Sequence, residues 1–512
     1  MIANSLMIKS LLSLPRWIRQ AAWIGLDIGV LVGGYVIAQA LVGGADLTEP
    51  MVGIAVAGAG LLYVGAVAGA GGYAQKVHTL HLRAFMRMAA ALTGAVLVTM
   101  ALLYLGDIGE YIPREVVLVH WLMVMVGMLG SRAIARLIVE EQGVPVSPDS
   151  SPDPLVLKEV TDRPPPVIDT NALRDVLADR TVLVTGAAGS IGKELSLQLQ
   201  SLQPFRLVLV DMSEYNLYQL EHALREQSYE GEIERCLLDI RNNDAMARLF
   251  QRVTPDVVIH TAAYKHVPLM EHHPAEAFHN NTLATLQLLD LCETNDVEDF
   301  IFVSTDKAVE PTSVLGATKQ LSEWYVRAST SSVRRTVVRF GNVFGSRGSV
   351  VPFFEERLAA GKPVPITHPN MERYFMSVSE ACSLILHTLL LNTHPVYLFR
   401  MGEPVRIMDL AEQLVQRWYP HLPPETMIDV VGRRPGEKLS EALAGPEETI
   451  EETAHPSIMG VQGGIPHSRT ELDVHIQHIE RQCRMPDVPV SHVRRLIVDP
   501  PSQTLSRISA DE

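Results

Sequence analysis

Thr181-Val-Leu-Val-Thr-Gly-Ala-Ala-Gly-Ser-Ile-Gly192 is a short apolar run that ends in spaced glycines, and a helix-forming stretch, Lys193–Leu202, follows it. Gly186, Gly189 and Gly192 stand where a strand-to-helix turn must be tight. There the backbone must approach a pyrophosphate and the helix must pack closely on the strand. The first helical residues, Ser190 and Ile191, then turn free N–H groups toward phosphates. A glycine triplet alone is weak evidence, but this one has its strand, its helix and a second strand, Arg206–Val210. That second strand ends in Asp211, at about the 20-residue distance expected of a ribose-binding acid. Asp211 suits the adenosine ribose hydroxyls and would repel a 2′-phosphate, which favours NAD over NADP, although Lys193 or Arg241 could still serve NADP.

Further strands follow. Cys236-Leu-Leu-Asp-Ile-Arg241 reads as a third, with Asp239 and Ile240 placed either to flank an adenine or, for the acid, as an ordinary loop residue. Asp256-Val-Val-Ile-His-Thr-Ala-Ala263 reads as a fourth, and small residues such as Ala262 and Ala263 leave room for a cofactor. Apolar runs alternating with helical segments predict a doubly wound parallel sheet of Rossmann type.

A fifth apolar run, Phe300–Val303, leads into Ser304-Thr-Asp-Lys307. Asp306 and Lys307 would emerge at the carboxyl end of a buried strand, where open α/β sheets hold their ligands. The pair is either an acid/base couple or an ion pair closing the strand end. Lys319 lies twelve residues after Lys307, in the register where short-chain dehydrogenases carry a Tyr-x-x-x-Lys pair, and Leu315 stands at the tyrosine position.

The chain has 512 residues and a net charge of −15, which argues against a general nucleic-acid binder. Its four cysteines form no metal-ligand spacing and fit a reducing compartment, and no metal site is expected. Apolar residues concentrate before residue 140, in Ala21–Val42, Met51–Tyr73, Met88–Leu105 and Val116–Gly130. A membrane span needs about 20 apolar residues. Four transmembrane helices are therefore expected over residues 1–140; buried core helices, or a cleaved signal peptide for the first segment, are the rival readings. Lys9, Arg16, Arg19, Lys76, Arg83, Arg87, Arg132 and Arg136 fall on one side of these spans. Asp46, Glu49, Asp107 and Glu110 fall on the other, with Arg114 as the only base. The positive-inside rule puts both ends in the cytoplasm, so a multi-pass plasma-membrane protein with a cytoplasmic catalytic domain is expected. Seven prolines between Val144 and Val167 read as an extended tether, assigned to residues 141–170.

These features together resemble the membrane-anchored nucleotide-sugar 4,6-dehydratases of polysaccharide biosynthesis, a branch of the extended short-chain dehydrogenases. The resemblance runs from Thr181 to about Ala442. Besides the glycine turn and Ser304–Lys307 it rests on Tyr264-Lys-His-Val-Pro-Leu-Met-Glu271, Asn280-Asn-Thr282, Arg339–Pro352, Arg373-Tyr-Phe-Met376 and Arg434-Pro-Gly-Glu-Lys-Leu439. It implies a UDP-N-acetylhexosamine substrate, UDP-N-acetylglucosamine first. NAD⁺ oxidises C4 of the sugar, a base takes the acidified C5 proton, an acid protonates the departing C6 hydroxyl, and the reduced cofactor returns hydride to C6. Lys307 is the expected base and Asp306 the acid. Lys319 is expected on the nicotinamide ribose, and Thr305 or a water held by Lys319 as the base for the C4 hydroxyl.

Lys265 and His266 are expected to line the sugar pocket, although His266 also reads as a hydrogen-bonded core residue. Asn342, Arg347, Ser349, Val350, Arg373, Arg434 and Glu437 are expected around the uridine diphosphate, with a surface salt bridge as the rival for Arg434. The resemblance divides the remaining chain into an NAD-binding domain with the catalytic residues (171–345) and a small, interleaved UDP-sugar lobe (346–450). Residues 451–512 form an extension of unassigned role. It also favours retention at C5 and a homo-oligomer. A 4-epimerase, which would ordinarily need a tyrosine at Leu315, and a non-catalytic membrane-tethered NAD-binding regulator are the alternatives.

Overall fold

The computed structural model describes residues 16–42, 50–69, 82–105, 112–141, 166–499 and 501, except 226–228, 230, 347, 421, 465–466 and 486–487. The loop residues Lys9, Asp46, Glu49, Lys76, Asp107 and Glu110, the tether up to Pro165, and Arg347 lie outside the described residues. The chain forms two compact units, one built on Met1–Pro148, the other on Asp149–Gln416 and Pro423–Glu512.

The first unit contains helices α1 (Arg16–Val42), α2 (Pro50–Gly69), α3 (Leu82–Leu105) and α4 (Arg114–Glu141). Its interior is mainly apolar, with Leu31, Tyr63, Val67, Met88, Leu92 and Met128 buried, and its outer surface is apolar as well. Leu26, Val32, Val36, Leu61, Leu97 and Val126 are exposed, while Asp27, His120, Arg132 and Thr99 are buried. Arg132 grips Asp27 through two hydrogen bonds of 2.9 and 2.8 Å, and His120 Nε2 lies 3.0 Å from the Leu31 carbonyl. A buried charge survives only when paired, and this pair joins α1 to α4. The expectation of four transmembrane helices needs correction. Among the described residues two helical stretches, Ala21–Val42 and Glu115–Ile134, are long and apolar enough to cross a membrane, whereas Ala57–Gly69 and Met86–Leu102 are shorter apolar helices. Val116–Gly130, which looked the shortest from sequence, gains its length from the continuation through Ser131.

The second unit is the expected doubly wound α/β domain. Its main sheet holds β1 (Thr181–Thr185), β2 (Arg206–Asp211), β3 (Glu232–Leu237), β4 (Val257–His260), β5 (Asp299–Val303) and β6 (Arg334–Arg339). Six short strands form three pairs outside it: β7 (Asn342–Phe344) with β10 (Phe375–Ser377), β8 (Val364–Ile366) with β13 (Ile428–Val430), and β9 (Glu372–Arg373) with β12 (Val405–Arg406). The later strands β11 (Val396–Phe399), β14 (Glu448–Glu452) and β15 (Ile458–Gly463) complete the sheet in the order β14-β15-β11-β6-β5-β4-β1-β2-β3. All pairings are parallel from β11 through β3; β15 and β14 add antiparallel.

Strands β1, β4 and β5 are buried along their whole length, as central strands covered on both faces should be. Alternate residues feed two apolar layers. Leu183, Val208, Val258, Phe300 and Phe302 face one, and Val184, Leu209, Ile259, Ile301 and Val338 face the other. Chain order reverses at β1, which has β2 on one side and β4 on the other. A crevice opens at such a switch point, outside the carboxyl ends of the strands.

The C-terminal stretch, silent in the sequence, contributes more than strands. The helices Arg469–Arg484 and Val490–Val498 place Leu472, Ile476, Ile479, Val493 and Leu496 in the first apolar layer.

Candidate active site

At the switch point, Gly186–Gly189 links β1 to the helix Ser190–Leu202. Gly186 has φ +66°, and a Cβ there would lie 2.7 Å from the Ala262 backbone. At Gly192 a Cβ would lie 2.1 Å from the Gly186 carbonyl oxygen, so the helix can sit this close only on glycine. Asp211 secures the turn: its carboxylate accepts the Ala188 N–H at 2.9 Å and the Ser213 N–H at 2.8 Å. These close approaches are what a pyrophosphate cradle requires, and the residues therefore fit a bound dinucleotide.

The cradle opens into a cavity of about 870 Å³, within the usual range for a small-molecule site. Gly186, Gly189, Ser190, Ile191, Gly192, Ala263, Thr305, Lys307, Leu315 and Lys319 line it on this side. Beneath it His260 is wholly buried, between the Thr185 hydroxyl (2.7 Å from Nδ1) and the Thr285 hydroxyl (2.9 Å from Nε2). Thr285 donates to the Asn281 carbonyl, so Nε2 of His260 carries the hydrogen that Thr285 accepts. Burial, and then the charge of Lys319, hold this imidazole well below its usual pKa and keep it neutral. Asn281 lies in a π-helical turn, Phe278–Leu283, and bonds both the N–H and the carbonyl of Tyr264. It fixes the loop that carries Lys265 and His266.

Strand β5 delivers Ser304–Lys307 as sequence reasoning expects. Lys307 Nζ donates to Asp306 Oδ1 at 2.9 Å and to Asn342 Oδ1 at 3.1 Å, and the Thr305 hydroxyl donates to Asp306 Oδ1 at 2.9 Å. Lys307 and Thr305 face the cavity; Asp306 is wholly buried behind them and does not line it. The helix Val314–Ala328 begins at the Ser313 cap and presses on this segment so tightly that a Cβ on Gly316 would lie 2.1 Å from the Lys307 carbonyl oxygen. Leu315 on its first turn is buried against the cavity. Lys319, one turn on, has its Nζ 4.1 Å from the Phe302 ring centroid. Burial pushes its amine down to about 7, against a smaller upward pull from Glu323.

Lys265, His266, Asn342, Ser349, Val350, Arg373, Arg434 and Glu437, the residues expected around the substrate, also line the cavity. The detail differs at three of them. Asn342 is engaged with Lys307. Arg373 donates to the carbonyls of Glu372, Lys438 and Leu439, which commits its guanidinium to holding the Arg434–Glu441 segment. His266 is an exposed residue at the cavity wall, and partial desolvation, with Lys265 nearby, lowers its pKa.

Four expected cofactor residues stand apart from the cavity lining. Asp211 and Ala262 support the glycine turn. Asp239 is held by Arg241, with a shortest contact of 2.7 Å, and Ile240 is buried in the core. Sequence reasoning missed Phe353, Phe354, Met371, Ile407 and Glu441, all on the wall. The apolar ones carried no signal distinct from core, but Glu441 lies two residues past the Arg434–Leu439 motif and was within reach of it.

Residues 182–463 match the family described as polysaccharide biosynthesis protein. A probable polysaccharide biosynthesis protein, EpsC of Bacillus subtilis, is 38% identical over 309 residues, covering 59% of this chain and 51% of EpsC. The chain thus spans about half the length of that relative. A UDP-N-acetylglucosamine 4,6-dehydratase (inverting) of Campylobacter jejuni is 31% identical over 278 residues, 53% of this chain and 79% of that one. A UDP-glucose 4-epimerase of Rickettsia massiliae is equally similar, 31% over 283 residues, 53% of this chain and 80% of that one.

Proposed function

The chain belongs to the polysaccharide biosynthesis protein family, and on that premise we propose that it is an NAD-dependent 4,6-dehydratase of a UDP-N-acetylhexosamine, UDP-N-acetylglucosamine first. The observation that carries the reading is one cavity wall: a leucine, Leu315, where an epimerase ordinarily needs a phenol, beside the coupled Thr305-Asp306-Lys307 and a neutralised Lys319. An epimerase has no use for a second acid/base group at C5 and C6; a dehydratase does.

When bound, NAD takes up and returns the electron pair that passes from C4 to C6. Gly186, Gly189, Ser190, Ile191 and Gly192 would hold its pyrophosphate, and Asp211 its adenosine ribose. Lys319 would take the proton of the C4 hydroxyl, a role supported by its place on the cavity lining and by burial, which pushes its amine down to about 7. Thr305 is less suited to that step, since its hydroxyl hydrogen is already given to Asp306. Lys307 moves the C5 proton, and Asp306, sealed behind it, exchanges that proton with Lys307 and holds its amine in place. A positioned acid or base is worth about 10²–10⁴-fold. Ser349 and the first N–H groups of the helix Val350–Ala359 offer the diphosphate a site that Arg434 can complete, which supports residues 346–450 as the UDP-sugar lobe. We also read the two long apolar helices, α1 and α4, as a membrane anchor that leaves the catalytic unit on the cytoplasmic side. Their exposed apolar residues, among them Leu26, Val32, Val36 and Val126, support it.

Incubating the purified protein with UDP-N-acetylglucosamine and NAD tests the reading by mass. Loss of one water from the sugar nucleotide, with no net consumption of NAD, is the expected result. A 4-epimer of unchanged mass as sole product would establish the epimerase instead, and unchanged substrate would leave neither activity.

A further inference from the structure

Glu271 ends the Tyr264–Glu271 motif, yet it is not among the residues that line the cavity. It is buried on the short helix Val267–His272, and its carboxylate is shared between two elements far apart in the chain. Oε1 accepts the Val314 N–H at 2.8 Å, at the first turn of the helix Val314–Ala328 that carries Leu315 and Lys319. Oε2 accepts Arg494 Nε at 2.5 Å, from the helix Val490–Val498. Arg494 Nη2 also donates to the Thr312 carbonyl at 3.3 Å, just before the Ser313 cap.

The same carboxylate supports the Arg434–Glu437 turn. Gly436 has φ +79°, and a Cβ there would lie 2.9 Å from Glu271 Oε1 and 2.9 Å from the Ser313 Cβ. The Thr312 hydroxyl donates to the Gly436 carbonyl at 3.2 Å. Arg434, Gly436 and Glu437 of this turn all line the cavity. Three segments that wall the cavity therefore meet at one buried acid, and among the described residues Arg494 is the one cation paired with it.

We propose that Arg494 is a positioning residue for the sugar nucleotide: by pairing with Glu271 it holds the Arg434–Glu437 turn where Arg434 meets the diphosphate. This gives the C-terminal extension a role, and it rests on the reading of the cavity as a UDP-sugar site. Removing one member of a buried ion pair leaves the other charge uncompensated. Without the guanidinium the Glu271 carboxylate turns toward water, away from Val314 and Gly436. Gly436 has no slack against Oε1, so the turn shifts and takes Arg434 with it. Among the described residues the glycine turn 186–192 makes none of these contacts, and the cofactor side stays as it is. The C-terminal helix itself stays docked, because Val493, Leu496 and Ile497 keep their places in the apolar layer that also holds Val314, Ala317 and Leu321.

The test compares the full-length wild type with Arg494→Gln, Arg494→Lys, Arg434→Gln and the double variant Arg434→Gln/Arg494→Gln. Arg494→Gln should raise KM for UDP-N-acetylglucosamine, and Kd for UDP in calorimetry, by about tenfold, the strength of one charged hydrogen bond to the diphosphate. Turnover at saturation and Kd for NAD should stay within about threefold of the wild type, as expected when only substrate binding is lost. Arg494→Lys should recover part of the affinity, since an ammonium can pair with Glu271 without the second contact to Thr312. In the double variant Arg494→Gln should add nothing to the loss caused by Arg434→Gln, because both act through one contact.

Additive losses, or equal falls in UDP and NAD affinity, would mean that Arg494 only stabilises the fold, and would overturn the assignment. An unchanged UDP affinity in Arg494→Gln would overturn it as well. UDP binding needs no turnover, so the two readings fail separately. A wild type that binds UDP but converts no sugar removes the dehydratase, and the calorimetry still decides the role of Arg494. A wild type that binds no UDP removes the site on which both rest.

Discussion

Replacing Lys319 with methionine should stabilise the protein, and by an amount that depends on pH in a defined way. The amine is 4% exposed, and burial moves its pKa from 10.5 to about 7. A drop of about 3.5 pH units at 1.36 kcal/mol each corresponds to about 5 kcal/mol of penalty for holding the charged form in the folded state. In the unfolded chain the same lysine stays protonated up to about 10.4. Between the two values the unfolded state binds the extra proton, so wild-type stability rises with pH across that window. Below about pH 7 both states are charged and the whole penalty is present; above about pH 10.5 both are neutral and it is gone.

Lys319→Met carries no such titration. It also loses the contact with the Phe302 ring, worth about 0.5–2 kcal/mol for a charged amine. The variant should thus unfold at higher denaturant concentration than the wild type at pH 6, by roughly 3–5 kcal/mol in free energy. The gap should close at about 1.4 kcal/mol per pH unit between pH 7 and 10. Denaturant unfolding without cofactor, followed by tryptophan fluorescence, measures it, and taking the difference between the two proteins cancels every other titrating group. A gap that stays constant from pH 6 to pH 10 would refute the claim that this lysine is held neutral, and with it the base assigned to the C4 hydroxyl. Activity should be lost in the variant at every pH.

Two further outcomes follow from the same geometry. Gly192→Ala puts a Cβ 2.1 Å from the Gly186 carbonyl oxygen, so it should cost about 1–3 kcal/mol of stability and abolish NAD binding measured by calorimetry; an alanine variant that binds NAD normally would mean the turn is no phosphate cradle. In heavy water the wild type should place deuterium at C5 of its product, and Lys307→Met should abolish both that label and turnover, because Lys307 is the one member of the Asp306–Lys307 pair that faces the cavity; label that persists in the variant would assign the C5 proton to another base.

The parts of the fold legible in the sequence are those where one physical demand admits few residue types. The glycine turn is one, since Gly186 and Gly192 sit where any side chain would overlap backbone. The central strands are another, because burial on both faces turns them into unbroken apolar runs. Strand β14 is the reverse case. It reads Glu-Thr-Ile-Glu-Glu, is mostly exposed at the sheet edge, and has no apolar run to announce it. Residue type alone also does not show how donors are used: Arg373, expected at the diphosphate, lines the cavity and also donates to three backbone carbonyls. The Asp27–Arg132 pair was illegible for a different reason, since its partners are 105 residues apart and the pairing depends on how two helices pack.

That edge strand matters to the chemistry through a buried chain of charges. Glu323 lies one turn beyond Lys319 on the helix Val314–Ala328, accepts the Ser304 hydroxyl, and receives Arg339 Nε at 2.9 Å. Arg339 reaches on to Glu448 of β14 at 2.6 Å, where Arg327 also donates at 3.2 Å. All four charged side chains are buried, and two arginines balance two glutamates. Burying such a cluster gains little stability over apolar packing, because desolvation offsets most of the attraction. Its effect is on geometry: removing any member would leave an unpaired buried charge, so the strand that ends in Ser304, the helix that carries Lys319, and β14 are held in a single register. Glu323 pulls the amine of Lys319 upward against the larger downward push of burial, and Arg339 with Glu448 fixes where that carboxylate sits. Strand β14, which the sequence left unassigned, is thereby tied through buried charges to the helix that carries an active-site residue.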